Sequence, residues 1–266
     1  MIPSSSSEEL AKLSRISALK MTHSGNASHI GSSLSLIDIL SVIVSNVNLK
    51  QIIDLGDDLV VSKGHAAAGT YAVLAHAGHI PLDYLSDYCQ DGAKLGGHVT
   101  STYVPAIPLS TGSLGHGLPF ALGRALAKKK LGRTTHTFVV LSDGECDEGS
   151  NWEAALVGAH LELSNLSVVI DRNNLQSLGS TESTIKLEPL AEKWSAFNWD
   201  VVVCNGHDHQ ELKTALFRKS NRPKVTIATT TKGFGVGFME NAIEWHYKSP
   251  NAVELEAALS DVRKDV

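Results

Sequence analysis

The sequence has no excess of positive charge. Its 23 Lys and Arg stand against 28 Asp and Glu, a net −5 at pH 7, so no basic field is available to neutralise a phosphate backbone. A general nucleic-acid binder is excluded. Cysteine is scarce as well: Cys89, Cys146 and Cys204 are widely spaced and form no Cys-x-x-Cys pair. They cannot build a disulfide framework, and a reducing, cytoplasmic setting is expected, with Cys146 a bystander thiol. The opening Met1-Ile2-Pro3-Ser4-Ser5-Ser6-Ser7 has neither the basic nor the apolar region of a secretion signal. Nowhere do about 18 apolar residues run together, so no membrane span is expected. No internal repeat or low-complexity linker breaks the chain.

What remains is an ordinary globular balance, 42% apolar and 19% charged over 266 residues, enough for one large core. Ser6 and Glu9 have the spacing of a capping box and open a helix through about Met21. A polar loop from Ser24 to Ser33 precedes a second helix with a stripe of Leu36, Ile37, Leu40, Ile43, Val44 and Val47. Then apolar runs at Val60-Val61, Phe138 to Leu141, Leu166 to Ile170, Val201 to Cys204 and Val225 to Ala228 read as buried strands. Helical stretches at Leu118 to Lys130, Asn151 to Leu163 and Gln210 to Lys219 separate them. Strands without polar alternation, divided by helices, predict an α/β fold, a mostly parallel sheet with helices on both faces. One domain is expected over residues 1–266, with a short helical tail from about Ala252. Lys128, Lys129 and Lys130, late in their helix, are expected to form a solvated face suited to the helix dipole.

In such sheets chemistry sits in the loops leaving the carboxyl ends of the strands. The run Phe138 to Leu141 leads straight into Ser142-Asp143-Gly144-Glu145, and the next strand leads into Asp171-Arg172-Asn173-Asn174. Asp143 and Asn173 lie one βαβ unit apart, so both belong at the same sheet edge. An Asp carboxylate, an Asn amide oxygen and a nearby backbone carbonyl are hard donors that suit Mg²⁺ or Ca²⁺, with diphosphate oxygens and a water completing an octahedron. Gly144 allows close approach to a phosphate, and the following helix start adds N–H donors.

The segment Ser142 to Thr181 resembles the thiamine diphosphate signature of the transketolase family, which begins Gly-Asp-Gly and ends in Asn about thirty residues on. Glu148-Gly149-x-x-Trp152-Glu153-Ala154, Asn165-Leu166 and Gln176-x-x-Gly179-x-Thr181 extend the likeness, as do Ser28-His29-Ile30-Gly31, Ser62-Lys63-Gly64-His65, Gly96-Gly97-His98, Thr111 to Gly117, Thr231 to Gly235 and Trp245-His246-Tyr247-Lys248. The chain departs from the pattern at Ser142, where the family has Gly, and at Val99, where full-length members have Pro. Ser142 adds a side chain and removes no ligand, so tolerance is expected.

The resemblance implies a thiamine-diphosphate-binding fold of the diphosphate-binding type. It implies metal ligands at Asp143, Asn173 and Leu175 for Mg²⁺, with Ca²⁺ or Mn²⁺ as substitutes. Cofactor contacts are expected from His65, Gly112, Ser113, Leu114, Asp143, Gly144, Glu145, Asn173 and His246. Of twelve histidines, His29, His65, His98 and His246 fall in family loops and are expected to line the substrate channel as catalytic groups. His116 is weaker, and His76, His79, His136, His160 and His209 read as structural or solvated. Asp208, beside His207, reads as a helix cap. Glu148 and Glu153 open a helix where first-turn carboxylates suit the dipole, and the resemblance adds a subunit-interface role.

The family's pyrimidine-binding domain, which brings a glutamate to the cofactor, has no counterpart after His246. The resemblance therefore implies the amino-terminal subunit of a split transketolase. A separate partner subunit would carry that domain in an α2β2 heterotetramer, moving a two-carbon ketol unit from a ketose to an aldose, the substrates being sugars or sugar phosphates. Alternatives on the same cofactor are a 2-oxoacid-decarboxylating or deoxyxylulose-phosphate-synthase-like acyl transferase, or a non-catalytic scaffold subunit.

Overall fold

In the computed structural model, which describes residues 6–49 and 56–264, the five apolar runs pair as one sheet. The strands are β1 (Asp58–Val61), β2 (Thr137–Ser142), β3 (Leu166–Arg172), β4 (Asp200–Asn205) and β5 (Lys224–Thr229). Their order is β1-β2-β3-β5-β4 and every pairing is parallel. All carboxyl ends therefore emerge at a single edge.

Alternate residues of the strands feed two cores. Leu59, Val61, Phe138, Val140 and Val169 face one layer, built from helices α1 (Ser7–Ser24), α2 (Ile30–Asn46), α3 (Ala67–His76) and α9 (Ala252–Lys264). Val60, Val139, Leu141, Val168 and Ile170 face the other, with α4 (Gly117–Lys130), α5 (Gly149–His160) and α7 (Leu190–Ala196). A one-turn α6 (Thr181–Thr184) follows β3, and α8 (His209–Leu216) links β4 to β5. With apolar side chains on both faces, the central strands show the continuous runs that both-sided burial demands.

Local chemistry sets several ends. Ser6 Oγ accepts the Glu9 N–H at 3.2 Å, the expected cap of α1, and Asp208 accepts from the Gln210 and Glu211 N–H groups at the start of α8. Four expectations need correction. Helix α2 begins at Ile30, inside the segment read as a loop. The serines of its first turns are buried within the helix, and Ser35 turns its Oγ to Asp171 at 2.7 Å. Helix α3 was not expected, since Ala67 to Ala75 are buried all round and show no amphipathic stripe. Strand β4, at one edge of the sheet, is half-exposed, with Val203 57% exposed. Lys128 is not solvated: its Nζ reaches Asp58 at 2.7 Å and the His136 carbonyl at 2.8 Å, with the side chain fully buried. Among the described residues no helix is long and apolar enough to cross a membrane.

Candidate active site

The register of β2 on β3 pairs Ser142 with Asp171, so the two exit loops run side by side. Asp143 Oδ1 accepts the Gly144 N–H at 2.8 Å, and its Oδ2 accepts the Asn174 N–H of the neighbouring loop at 2.6 Å. Asn173 Oδ1 accepts from the Leu175 N–H at 3.1 Å. Asp143 is 1% and Asn173 4% exposed. Burial, then the charge of Asp171, push the Asp143 carboxyl above the usual carboxylate range. The nearest cation, Arg172 at 3.3 Å, is shared with Glu182 and Glu188. A buried carboxylate short of positive charge, lining the same cleft as Asn173 and Leu175, offers with the Asn173 amide oxygen the kind of hard donors that a divalent cation takes. Among the described residues no group of three His, Cys, Asp or Glu is placed to hold a metal, and one carboxylate with two neutral oxygens is not such a group.

These loops floor a cleft of about 240 Å³ whose walls include His29, His65, His98, His246, Gly112 and Leu114. The His29 ring lies 5.4 Å from His65, 5.7 Å from His98 and 4.9 Å from His246, centroid to centroid. Four chain segments far apart in sequence thus deliver four imidazoles to one place. His29 sits just before α2 in the left-handed region, φ 72°. Its N–H donates to the His246 carbonyl at 2.8 Å and its carbonyl accepts from Ser33 at 3.1 Å. Burial, then His98 and two lysines, lower the His29 imidazole to about 4. Burial and Lys232 lower His246 to about 3, and burial with Lys63 holds His65 well below its ordinary value.

The loop bearing Gly112, Ser113 and Leu114 is pinned across the β1 exit. Thr111 Oγ1 donates to the Val61 carbonyl at 2.7 Å, and the Gly117 N–H donates to Ser62 Oγ at 3.0 Å. Gly115 has φ 81°, and a Cβ there would lie 2.7 Å from the Glu148 Cβ, so only glycine fits. Gly112 and Leu114 line the cleft, whereas Ser113 does not. Glu145 turns away from it. Its carboxylate accepts from Ser62 Oγ, from the Gly115 N–H at 2.9 Å and from the Ser142 N–H at 3.3 Å, and burial raises it above its usual range. Glu148 and Glu153 are exposed at the start of α5, outside the cleft. Ser142 lines the cleft and its Oγ accepts the Glu145 N–H at 3.3 Å. His116 is exposed and bonds the Leu114 carbonyl. His136 packs on Phe138, and Cys146 is buried.

Sequence reasoning gave no role to the polar floor beneath the imidazoles. Lys63 and Asp171 form an ion pair with both side chains fully buried. Asp171 also accepts from Ser35 Oγ at 2.7 Å and from Thr230 Oγ1. Burial raises this carboxyl, but Lys63 and the donors outweigh it and leave it below its usual range. A charged residue at the end of an apolar strand, Ile170-Asp171, was the available signal, because burial there demands a partner. His207 and His209, also given no role, both bond Asp38, at 2.7 and 3.0 Å, beside a separate cavity of about 930 Å³.

The model of the transketolase thiamine diphosphate binding domain matches residues 6–260. The chain belongs to the transketolase family. It is 42% identical over 243 residues to one subunit of the apulose-4-phosphate transketolase of Actinobacillus succinogenes, covering 89% of this chain and 88% of that relative. It is 32% identical over 244 residues to the 6-deoxy-6-sulfo-D-fructose transketolase subunit SqwG of a Clostridium species, covering 89% of each. The crystal structure of transketolase from Campylobacter jejuni superposes with a TM-score of 0.90 at 28% identity, over 97% of this chain and 42% of that one. The chain therefore spans well under half of that transketolase, and it corresponds to a thiamine diphosphate-binding subunit of a transketolase-like transferase.

Proposed function

We propose that this chain is the single-domain, diphosphate-binding half of a two-chain, cytoplasmic transketolase. A separate subunit would supply the pyrimidine-binding domain in an α2β2 assembly, and the enzyme would move a two-carbon ketol unit from a ketose to an aldose. The observation that carries the reading is the β2–β3 register, which sets Asp143 and Asn173 side by side at the foot of a cleft walled by four imidazoles. The Asp143 carboxylate, the Asn173 amide oxygen and the Leu175 carbonyl would hold Mg²⁺, with Ca²⁺ or Mn²⁺ as substitutes. When bound, thiamine diphosphate supplies the electron sink for carbon–carbon cleavage. The chain's own residues bind and move protons. Near pH 7 the lowered imidazoles of His29, His65 and His246 are neutral, so His29 and His65 can hydrogen-bond substrate hydroxyls and exchange protons with them, while His246, its Nδ1 beside Lys232, can hydrogen-bond them. Exposed Leu156 and Val157, one turn beyond Glu153 on α5, support a role in subunit contact for that helix and for Glu148 at its start.

Calorimetric titration of thiamine diphosphate into the assembled pair, with and without Mg²⁺, tests the cofactor site. Ketol transfer from a ketose phosphate tests the reaction, and apulose 4-phosphate, named in two relatives, is the first sugar to try. Turnover of pyruvate without ketose cleavage would replace the reading with the decarboxylating or acyl-transferring one. Binding that ignores the metal, or fails, would leave a scaffold subunit.

A further inference from the structure

Lys232 lies three residues beyond the end of β5, and its side chain is 1% exposed beneath the histidine cleft. Its Nζ lies 2.9 Å from His246 Nδ1 and 3.2 Å from the Gln176 carbonyl oxygen. Among the described residues it forms no ion pair with a carboxylate. Its position is over-determined. The Gly233 N–H donates to the Gly31 carbonyl at 3.0 Å, the Asn241 N–H donates to the Lys232 carbonyl at 2.9 Å, and the Thr231 N–H donates to His207 Nε2 at 2.8 Å. The aliphatic stem runs so close to α2 that a Cβ on Gly31 would lie 3.2 Å from Lys232 Cγ. His246 is tied to the same helix start, because its carbonyl accepts the His29 N–H.

Burial and the charge of Lys63 lower Lys232 to about 8, so well below that pH it is an ammonium group with three hydrogens and no lone pair, and its contact with an imidazole nitrogen has one polarity: Lys232 donates and Nδ1 accepts. We infer that Lys232 is a positioning residue that fixes His246 as the Nε2–H tautomer, so that the one ring nitrogen left for a ligand is a hydrogen-bond donor. The inference rests on the cleft being the transketolase site proposed above, and it specifies what His246 can recognise there. A donor nitrogen selects an acceptor opposite it, such as a carbonyl, hydroxyl or phosphate oxygen, and cannot accept a proton while Lys232 occupies Nδ1. Protonation of the ring would bring a second cation to within 2.9 Å of the ammonium, in keeping with the low proton affinity of this imidazole.

The test reads the tautomer directly and needs neither turnover nor partner. Long-range ¹⁵N–¹H correlation spectra of the labelled full chain at about pH 6.5, where Lys232 is charged and His246 is neutral, should show His246 as Nε2–H. Lys232→Met, which removes the donor but keeps the stem, should populate the Nδ1–H form, and Lys232→Arg, which has donors only, should keep Nε2–H. An Nδ1–H ring in the unaltered chain, or a tautomer unchanged in Lys232→Met, overturns the inference. If Lys232→Met does not fold, the unaltered chain and Lys232→Arg still decide it, since the inference fails unless both are Nε2–H. In the assembled enzyme Lys232→Met should lower kcat by roughly tenfold or more and cost nothing further in a His246→Ala background. Equal losses in both backgrounds also overturn it. A correct tautomer in an enzyme that does not transfer ketol units would fault the reaction assignment and leave the Lys232–His246 relation standing.

Discussion

Lys63, from the turn after β1, and Asp171, at the end of β3, meet as an ion pair with no exposure on either side chain, 108 residues apart in sequence. Three further donors complete the Asp171 shell: Ser35 and Thr230 on the carboxylate, and the Ser142-side loop through the Asp143 N–H to the Asp171 carbonyl at 3.3 Å. The pair ties three strand exits to α2 under the cleft. Breaking one partner leaves an uncompensated buried charge. Lys63→Met should therefore cost about 3–5 kcal/mol in urea unfolding, and adding Asp171→Asn to it should restore part of that loss. A Lys63→Met variant as stable as the parent would show that the pair is not what anchors these loops.

Asp143 bears the opposite relation to stability and function. Its carboxyl is raised by burial and by Asp171, so the charge is strained in the free chain. Asp143→Asn keeps the size and removes that charge, and it keeps one of the two N–H contacts, since its single amide oxygen can replace Oδ1 toward Gly144 or Oδ2 toward Asn174 but not both. The relief of that charge should offset the lost acceptor, so the variant should unfold near the parent's urea concentration, yet lose Mg²⁺-dependent thiamine diphosphate affinity by roughly a hundredfold or more, read by calorimetry. Asn173→Ala should show the same loss, and chelation of the metal should reproduce both in the unaltered protein.

The strands were legible in sequence because both-sided burial leaves unbroken apolar runs, and Asp143 with Asn173 followed from counting one βαβ unit between two such runs. The histidine loops were legible only through resemblance, since nothing in the spacing of residues 29, 65, 98 and 246 brings them together. Helix α3 was invisible for the reason that made the strands visible: with every side covered, Ala67 to Ala75 carry no period. Lys128 misled because its position late in a helix describes a solvated cation equally well. Only the fold reveals Asp58 at 2.7 Å, a partner 70 residues earlier.

The imidazoles give the protein an acid limit. His29 falls from 6.5 to about 4 and His246 from 6.5 to about 3, both chiefly by burial, and His65 is lowered too. Folded values lie below unfolded ones, so above about pH 6.5 neither state binds the proton and the contribution is complete. Between that pH and about 4 the unfolded chain takes up protons that the folded chain refuses, and stability drops. The urea midpoint should decline steadily from pH 6 to 5. His246→Asn should decline less steeply over the same range, and an identical slope in parent and variant would remove His246 from the cause.

His29 places its ring in the cleft by adopting a backbone conformation that L side chains avoid, φ 72°. The Cβ in the left-handed region costs roughly 1–2 kcal/mol, which glycine does not bear, although glycine gives back about half of that through its freer unfolded chain. Two variants separate backbone from ring. His29→Ala keeps the Cβ and removes the imidazole, while His29→Gly removes both. If the bonds from the His29 N–H to His246 and from Ser33 to the His29 carbonyl hold the strained turn, His29→Gly should be more stable than His29→Ala by about 1 kcal/mol in urea. Both should lose ketol transfer alike in the assembled enzyme, because neither offers a proton donor at that wall. Equal stability of the two would mean that the turn relaxes once the ring is gone, and that the imidazole itself, wedged between His65, His98 and His246, is what holds the backbone left-handed.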